Sequence, residues 1–279
     1  MKRVLTAALL IAVVVALIFF GHQWMLALAA CVVAEFAAYE YVSLANTGGA
    51  RVPAWWMAIA VALFFYFTSY RPIEAQLPVL SLLALALLAW TGFHGALERV
   101  LPDAAIGLFG LVYVAYPLLL IPLIWNRDDG KALILFLMVC VWAGDIAALY
   151  VGRSFGRRKL TRLSPNKTWE GSIASVLGSL VAGLAVVYLG DLLSMRGNTV
   201  LHILAPVWES ALMAVVLNIA AQVGDLLESA IKRGAGVKDS GTILPGHGGI
   251  LDRIDALLLA APVLWCMLLL KDAFGLGRF

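Results

Sequence analysis

The chain has 279 residues, of which 63% are hydrophobic and 13% are charged, and its formal net charge is +3. Soluble domains are roughly 45–50% apolar, so the composition excludes a water-soluble enzyme, a disordered chain and an extracellular disulfide scaffold. The small positive charge does not indicate a nucleic-acid-binding protein. With a mean hydropathy of +0.94, the chain is predicted to be an integral membrane protein.

Nine apolar runs, separated by polar breaks, have about the length that crosses roughly 30 Å of hydrocarbon as a helix. They lie near residues 4–20, 24–45, 53–70, 76–93, 104–125, 131–150, 170–190, 205–229 and 254–270. They lack the alternation of apolar and polar residues that the strands of an outer-membrane barrel require. The sequence therefore predicts an all-α, polytopic membrane bundle of about nine transmembrane helices.

Loop charges predict the orientation, because Lys and Arg remain preferentially on the cytoplasmic side of a membrane. Fourteen of the 20 basic residues lie on the side of the N-terminus, and ten of these are in the loops 151–169 and 230–253. We therefore expect the N-terminus and both loops in the cytoplasm, and the C-terminus outside. The first run follows Lys2 and Arg3 as in a signal peptide, but eight more runs follow, so we expect it to be retained.

The two halves of the chain differ in character. Residues 1–130 carry Glu35 and Glu40 as their only mid-span acids, and they are predicted to be scaffold helices. Residues 131–279 contain the charged clusters and are predicted to form the catalytic region, which includes both basic loops. An ionisable residue at membrane depth is costly unless it faces a partner or a watery cavity, so each such residue is a functional candidate.

Carboxylates collect at the helix ends of the later half. They are Asp145, Glu170, Asp225, Glu228, Asp239, Asp252 and Asp255. Asp225 and Glu228 are three residues apart, as are Asp252 and Asp255, so each pair shares one face of a helix. Mg²⁺ is usually held by one or two carboxylates together with substrate phosphates and waters. A pair of these acids is therefore sufficient for a metal–nucleotide site.

The first basic loop has two interpretations. Arginine binds phosphate through a bidentate fork and lysine binds it as a mobile point charge. A cytoplasmic loop rich in arginine is also what topology alone requires, and for Arg158 and Arg162 both interpretations stay open. The run Lys-Thr-Trp-Glu-Gly at 167–171 leads directly into an apolar helix whose N-terminal amides attract anions, which favours a function there. The phosphate-binding candidates in this loop are Arg153, Lys167, Trp169 and Glu170.

The second basic loop is rich in glycine. Gly246, Gly248 and Gly249 leave the backbone free to approach a ligand and to adopt positive φ. A glycine-rich turn alone is weak evidence, because many such turns only join two helices. His247 either donates to a phosphate oxygen or caps the turn, and the sequence leaves both roles open.

The residues from Ser229 to Asp255 resemble the signature of the phosphatidate cytidylyltransferase family, also called CDP-diacylglycerol synthases. The family pattern has a Ser, then Lys-Arg, Lys-Asp, Pro-x-His-Gly-Gly and Asp-Arg-x-Asp. The matching residues are Ser229, Lys232, Arg233, Lys238, Asp239, Pro245, His247, Gly248, Gly249, Asp252, Arg253 and Asp255. The block 164–171 and the polytopic layout are similar to the family too, whereas the first hundred-odd residues carry no motif.

The resemblance implies a reaction of phospholipid biosynthesis. CTP and phosphatidate would give CDP-diacylglycerol and pyrophosphate, with a divalent ion that is normally Mg²⁺; whether a second cation assists stays open. Phosphatidate brings its own anionic nucleophile, so the reaction needs positioning and charge neutralisation more than a protein base. The expected partners are CTP, phosphatidate and membrane lipids, with no nucleic acid, and similar proteins suggest a homodimer. The expected location is a bacterial inner membrane, with the active site facing the cytoplasm.

Three sets of residues follow from the carboxylates, the basic loops and the resemblance. The predicted metal ligands are Asp225 and Asp252, with Asp145, Glu228 and Asp255 in or next to the ligand shell. The predicted catalytic residues are Asp225, Asp252, Lys232, Arg233, Lys238, Asp239, His247 and Arg253. The predicted phosphate-binding residues are Arg153, Lys167, Trp169, Glu170, Ser229, Gly248 and Gly249.

Two other classes of function compete with this interpretation. A transporter would carry its acids near the middle of the bilayer and would show internal repetition, whereas the acids here cluster at one face beside glycine-rich loops. A CTP-dependent lipid kinase would transfer the terminal phosphoryl group instead of the cytidylyl group. A CDP-alcohol phosphotransferase is disfavoured, because the Asp-Gly and Ala-Arg spacing of that family does not occur in the chain.

Overall fold

A computed structural model of the chain describes residues 2–69, 73–243 and 248–274. In these ranges the chain is built of helices, and β-structure is limited to isolated bridging such as that between Lys159 and Thr168. The helices are α1 Lys2–Phe20, α2 Gln23–Thr47, α3 Ala54–Thr68, α4 Gln76–His94, α5 Val100–Gly110, α6 Tyr116–Trp125, α7 Gly130–Phe155, α8 Trp169–Ser194, α9 Val207–Gly234 and α10 Leu251–Phe274.

Helices α5 and α6 belong to one continuous helical segment, Leu97–Trp125. A π-helical turn at Leu111–Ala115 joins them. Pro117 follows this turn closely and has no N–H to donate, so regular α-helical bonding cannot continue through this point.

The predicted runs coincide with the helical segments, and the all-α, polytopic membrane class is confirmed. Seven helices of the described chain are long and apolar enough to cross a membrane. The two shorter apolar segments are Ile11–Phe20 and Ala54–Thr68.

Both basic loops begin a few residues later in the structure than the charges indicate. Helix α7 continues to Phe155 and α9 continues to Gly234, so Arg153, Lys232 and Arg233 are helical residues. Hydropathy places a boundary where charges begin, but basic side chains are favourable in the last turn of a helix, where carbonyl groups lack intrahelical partners. The candidate lysine and arginines are therefore held on rigid elements.

The chain divides into two compact units. The first unit comprises Met1–Ala7, His22–Leu123 and Ala230–Ile254, and the second comprises Ala8–Gly21, Ile124–Ser229 and Asp255–Phe279. The segment Ala230–Ile254, which carries most of the signature, thus belongs to the same unit as α2 to α5. A division of the chain at residue 130 stays a prediction.

In the first unit, α2 packs against α3 and against the π-helical turn. Met57 and Phe64 of α3 and Leu111 of the turn are almost fully buried. The Tyr41 hydroxyl donates a hydrogen bond to the Ile106 carbonyl at 2.9 Å, which ties α2 to α5. The apolar packing and this hydrogen bond fix the position of α2, which carries Glu40, within the first unit.

In the second unit, α7 and α8 form the closest pair of helices. A Cβ atom at Gly183 of α8 would lie 3.0 Å from the Cys140 sulfur and 3.0 Å from the Phe136 ring. Ser179 of α8 donates its hydroxyl to the Cys140 carbonyl of α7 at 2.5 Å. Small residues and interhelical hydrogen bonds are the usual means by which membrane helices pack closely.

Candidate functional site

Three predicted carboxylates interact in the second unit. Asp145 of α7 and Asp255 of α10 each interact electrostatically with the negative charge of Asp225 on α9. Each also interacts with the positive charge of Lys167. Lys167 itself forms an ion pair with Asp225, and Ser229 contacts the other Asp225 oxygen at 3.5 Å. Because like charges repel at short range unless a cation lies near, this group is suited to positive ligands.

A glycine allows α9 to approach α10 at this point. A Cβ atom at Gly224 would lie 2.6 Å from the Asp255 carbonyl oxygen, which is too close for any other residue without a shift of the backbone. The Gly-Asp pair at 224–225 therefore has a structural reason: the glycine sets the helix spacing and the aspartate next to it carries the charge. The same dipeptide occurs at Gly144 and Asp145.

A ladder of amide side chains precedes Asp225 on α9. Asn218 donates to the Ser175 and Ser179 hydroxyls at 2.9 and 2.6 Å, and Gln222 donates to the Asn218 side-chain oxygen at 2.6 Å. Asn218, Gln222 and Asp225 follow at spacings of four and three residues, so they share one face of α9.

Gly144 of α7 makes room for this ladder. A Cβ atom at position 144 would lie 2.2 Å from the Asn218 amide nitrogen. Sequence reasoning did not single out the ladder, although its signal was present as polar residues at helical spacing within two apolar runs. The ladder links α8 to α9 next to the carboxylates and fixes the helices that carry them.

The loop before α8 presents Lys167. The Leu160 N–H donates to the Lys167 carbonyl at 2.8 Å, and the Trp169 N–H donates to the Arg158 carbonyl at 3.0 Å. The Glu170 carboxylate accepts the N–H groups of Arg157 and Arg158 at 3.1 and 3.3 Å.

Thr168 begins the helix that follows. Its hydroxyl accepts the Gly171 N–H at 3.1 Å, which is a side-chain cap of α8. Glu170 and Thr168 thus hold the backbone of the loop, and Lys167 is the member of this cluster whose charge reaches the carboxylates. Trp169 lies on the surface, with 53% of its area exposed.

In the first unit, Asp252 organises the signature segment. Lys232 donates to its carboxylate at 2.6 Å, the Gly249 N–H donates at 2.8 Å and the Ser240 N–H at 3.0 Å. The Lys232 and Asp252 side chains are only 13% and 10% exposed. Gly248 has φ +78°, and a Cβ atom there would lie 2.8 Å from an Asp252 oxygen. Only glycine satisfies both conditions.

A second carboxylate, Glu40 of α2, contacts the same segment from the N-terminal half of the chain. Its side chain is buried, at 2% exposure. It accepts the Ser240 hydroxyl at 2.9 Å, the Ile250 N–H at 3.0 Å and the Leu251 N–H at 2.8 Å. Sequence reasoning placed Glu40 in a scaffold, and the available signal was only that it is an acid in an apolar run.

The remaining candidates lie in other surroundings. Glu228 is fully buried in α9, and His247 lies outside the described residues. Arg233 donates to the Val237 carbonyl at 3.3 Å. The candidates that are exposed at the surface are Arg153, Arg233, Lys238, Asp239 and Arg253.

The described side chains offer few ligands for a divalent cation. Among the described residues, no three or more His, Cys, Asp or Glu side chains form a group that could hold a metal ion. Mg²⁺ requires fewer protein ligands when substrate phosphates and waters complete its octahedron. Asp225, with Asp145 and Asp255 beside it, fits this smaller requirement, and the Lys167 ammonium already provides a positive partner at that position.

The chain is similar to proteins of known bacteria. The sequence model described as "Cytidylyltransferase family" matches residues 1–271. A phosphatidate cytidylyltransferase of Staphylococcus haemolyticus is 32% identical over 270 residues, which cover 96% of this chain and 98% of the relative. The protein of that name from Brucella suis is 41% identical over 56% of this chain. That match spans about half, 54%, of the relative.

Proposed function

Because the chain belongs to the cytidylyltransferase family, we propose that it transfers the cytidylyl group of CTP to phosphatidate. The products are CDP-diacylglycerol and pyrophosphate. The observation that carries the proposal is the arrangement of the signature residues: Lys232 and Asp252 form a part-buried ion pair, and the backbone N–H groups of Ser240 and Gly249 donate to the same carboxylate.

The reaction forms one P–O bond and breaks another. An oxygen of the phosphatidate phosphate attacks the α-phosphorus of CTP, and the bond between the α-phosphorus and the bridging oxygen breaks to release pyrophosphate. The nucleophile is already an anion, so no side chain has to remove a proton. The protein has to bring two anions together and neutralise the charge that develops, which is the main task in reactions of this type.

Lysines supply part of this neutralisation. Lys167 pairs with Asp225, and Lys232 pairs with Asp252. Phosphate oxygens compete well for ammonium groups, and a cation on either carboxylate would release its lysine toward the substrate. Lys238, Arg233 and Arg253 add charge from the signature segment.

We assign the cation-binding role to the predicted carboxylates. Asp225 and Asp252 are the proposed ligands, and Asp145, Glu228 and Asp255 are the further candidates. A bound Mg²⁺ would neutralise nucleotide phosphate oxygens and orient them. Whether one or two cations bind is decided by metal titration.

The two substrates, CTP and phosphatidate, reach the site from different surroundings in this proposal. We propose a bacterial inner membrane, with both basic loops on the cytoplasmic side where CTP is available. Phosphatidate diffuses laterally and keeps its acyl chains in the hydrocarbon. A homodimer stays a prediction.

The test is a product analysis on the purified full chain in lipid nanodiscs. The substrates are phosphatidate and CTP that is labelled at its α-phosphate or at its γ-phosphate. The proposal expects label from α-labelled CTP in the lipid, label from γ-labelled CTP in pyrophosphate, and loss of both after Mg²⁺ is chelated. Label from γ-labelled CTP in the lipid would instead establish a lipid kinase. Absence of any CTP-dependent product would contradict both and leave transport.

A further inference from the structure

Glu40 has a set of partners that a scaffold residue does not need. Its three hydrogen-bond donors are the Ser240 hydroxyl and the N–H groups of Ile250 and Leu251. The donors lie about 200 positions further along the chain, at separations of 200, 210 and 211 residues. All belong to the signature segment, so the contact links the N-terminal half to that segment within the first unit.

We propose that Glu40 is a positioning residue for the reaction. It acts through the backbone that surrounds Asp252 and Lys232, and it does not touch the substrate. The inference rests on the proposed function, which assigns the Lys232–Asp252 pair to substrate and cation binding.

The backbone of the signature segment lies between two carboxylates. The Ser240 N–H donates to Asp252 while the Ser240 hydroxyl donates to Glu40. Likewise the Gly249 N–H donates to Asp252, and the next two N–H groups donate to Glu40. Loss of the Glu40 contacts would therefore release the same residues that hold the Asp252 carboxylate in its orientation.

The charge of Glu40, not only its size, is required by this geometry. One carboxylate oxygen accepts the Ile250 N–H, and the other accepts the Leu251 N–H and the Ser240 hydroxyl. An amide in place of the carboxylate would direct its NH₂ group at a backbone N–H in either orientation. The N–H groups concerned stand at the start of α10, where the helix dipole also favours a negative charge.

The glycines around Glu40 support the same conclusion. A Cβ atom at Gly241 would lie 2.5 Å from one Glu40 oxygen, and a Cβ atom at Gly249 would lie 2.3 Å from the other. The segment thus approaches the carboxylate by its backbone, without side chains in between. This close contact leaves little freedom for the N-terminal turn of α10, where Asp252 is located.

The experiment compares Glu40→Gln with Glu35→Gln in the full chain in nanodiscs. Glu35 is a half-buried acid of the same helix, and it is a matched control because the described residues give it no hydrogen bond to the signature segment. We measure kcat and KM for CTP and for phosphatidate, Tm, and hydrogen exchange of the peptides that contain Ser240 and Ile250. Glu40→Asp tests whether charge alone restores part of the activity.

A positioning role predicts a local defect. Glu40→Gln should lower kcat about 10- to 100-fold, the loss expected for a hydrogen-bonded charge, and should leave the KM for phosphatidate within about twofold. Exchange should rise at the Ser240 and Ile250 peptides and remain unchanged in α3. Glu35→Gln should keep wild-type kinetics, and Glu40→Asp should recover part of kcat.

Other results would overturn the inference. Wild-type kcat in Glu40→Gln would remove the positioning role, and a fall in Tm with exchange raised across the whole first unit would make Glu40 a stability residue. If Glu40→Gln does not fold, Ser240→Ala, which removes one of the three donors, must lower kcat with an unchanged Tm. If the wild-type chain makes no CDP-lipid, the proposed function fails, while the exchange data still test the contact of Glu40 with the segment.

Discussion

The two lysine–aspartate pairs differ in their exposure and in the hydrogen bonds that the protein backbone donates to the aspartate. Lys232 and Asp252 are 13% and 10% exposed, and backbone N–H groups occupy the same carboxylate. Lys167 and Asp225 are 28% and 34% exposed, and the neighbours of that aspartate include two further acids. Backbone donors therefore hold the first carboxylate in a fixed orientation beside its lysine, whereas the second carboxylate is more open to an incoming cation.

The largest effect is expected at the exposed pair. Asp225→Asn should lower kcat/KM about 10²- to 10³-fold, the usual loss when one electrostatic group of a reaction centre is removed. The Tm should stay unchanged or rise, because the substitution removes repulsion with Asp145 and Asp255. Initial rates and thermal melting of the purified protein measure both.

Asp191→Asn is the matched control for this variant. Asp191 lies 3.1 Å from His202 in the same unit and has no place in the proposed chemistry. It should keep full activity. More than a tenth of wild-type activity in Asp225→Asn would remove that carboxylate from the cation site.

The pair of Lys232 and Asp252 should couple activity to stability. Removal of one partner of a fully buried pair costs about 3–5 kcal/mol, and the cost should be smaller here because the pair is part-buried and Asp252 keeps two backbone donors. Lys232→Met alone should therefore lower both Tm and activity. The double variant Lys232→Met with Asp252→Asn should recover much of the Tm and none of the activity. If the double variant melts as low as the single one, the pair is not the source of the stability.

Hydropathy predicted the helices, but the roles of their acids depend on contacts that no local pattern contains. Runs of apolar residues identify membrane helices because the bilayer imposes their length. The signature likewise identified Lys232 and Asp252 as candidates. Their ion pair depends on how the segment folds back on itself, and the role of Glu40 depends on a contact across about 200 positions.

The helix ends are a second feature that hydropathy does not predict. Arg153 and Lys232 were assigned to loops because charge ends an apolar run, although the backbone of each continues as helix. The hydrogen-bond ladder at Asn218 and Gln222 was also missed, because a polar residue in a membrane helix shows its use only with its partner present.

A glycine substitution next to Asp252 should have a smaller effect, on stability. Gly248→Ala should destabilise the chain by about 1–3 kcal/mol, because alanine is strained at positive φ, and its Cβ would also press on Asp252. Gly234→Ala is the control, since no atom lies within 4 Å of a Cβ placed there. Thermal melting should separate the two variants clearly. Equal Tm values would mean that the Asp252 carboxylate has room to move.

The smallest effect is expected at a third ion pair, which lies far from the candidate residues in sequence. Arg127 donates two hydrogen bonds to Asp272, at 2.8 and 2.9 Å, and the side chains are 28% and 51% exposed. The hydrogen bond to Asp272 raises the pKa of Arg127 above its usual value, so the guanidinium is charged at every working pH.

An exposed pair of this kind contributes about 0.2–1 kcal/mol, because water and salt screen the charges. Arg127→Gln should therefore lower Tm slightly, keep wild-type kcat, and show the same dependence of activity on pH as the wild type. Rates measured across the pH range test this directly. A large loss of activity would mean that charge pairs outside the signature also control the reaction, and the contrast between the two lysine–aspartate pairs would lose its meaning.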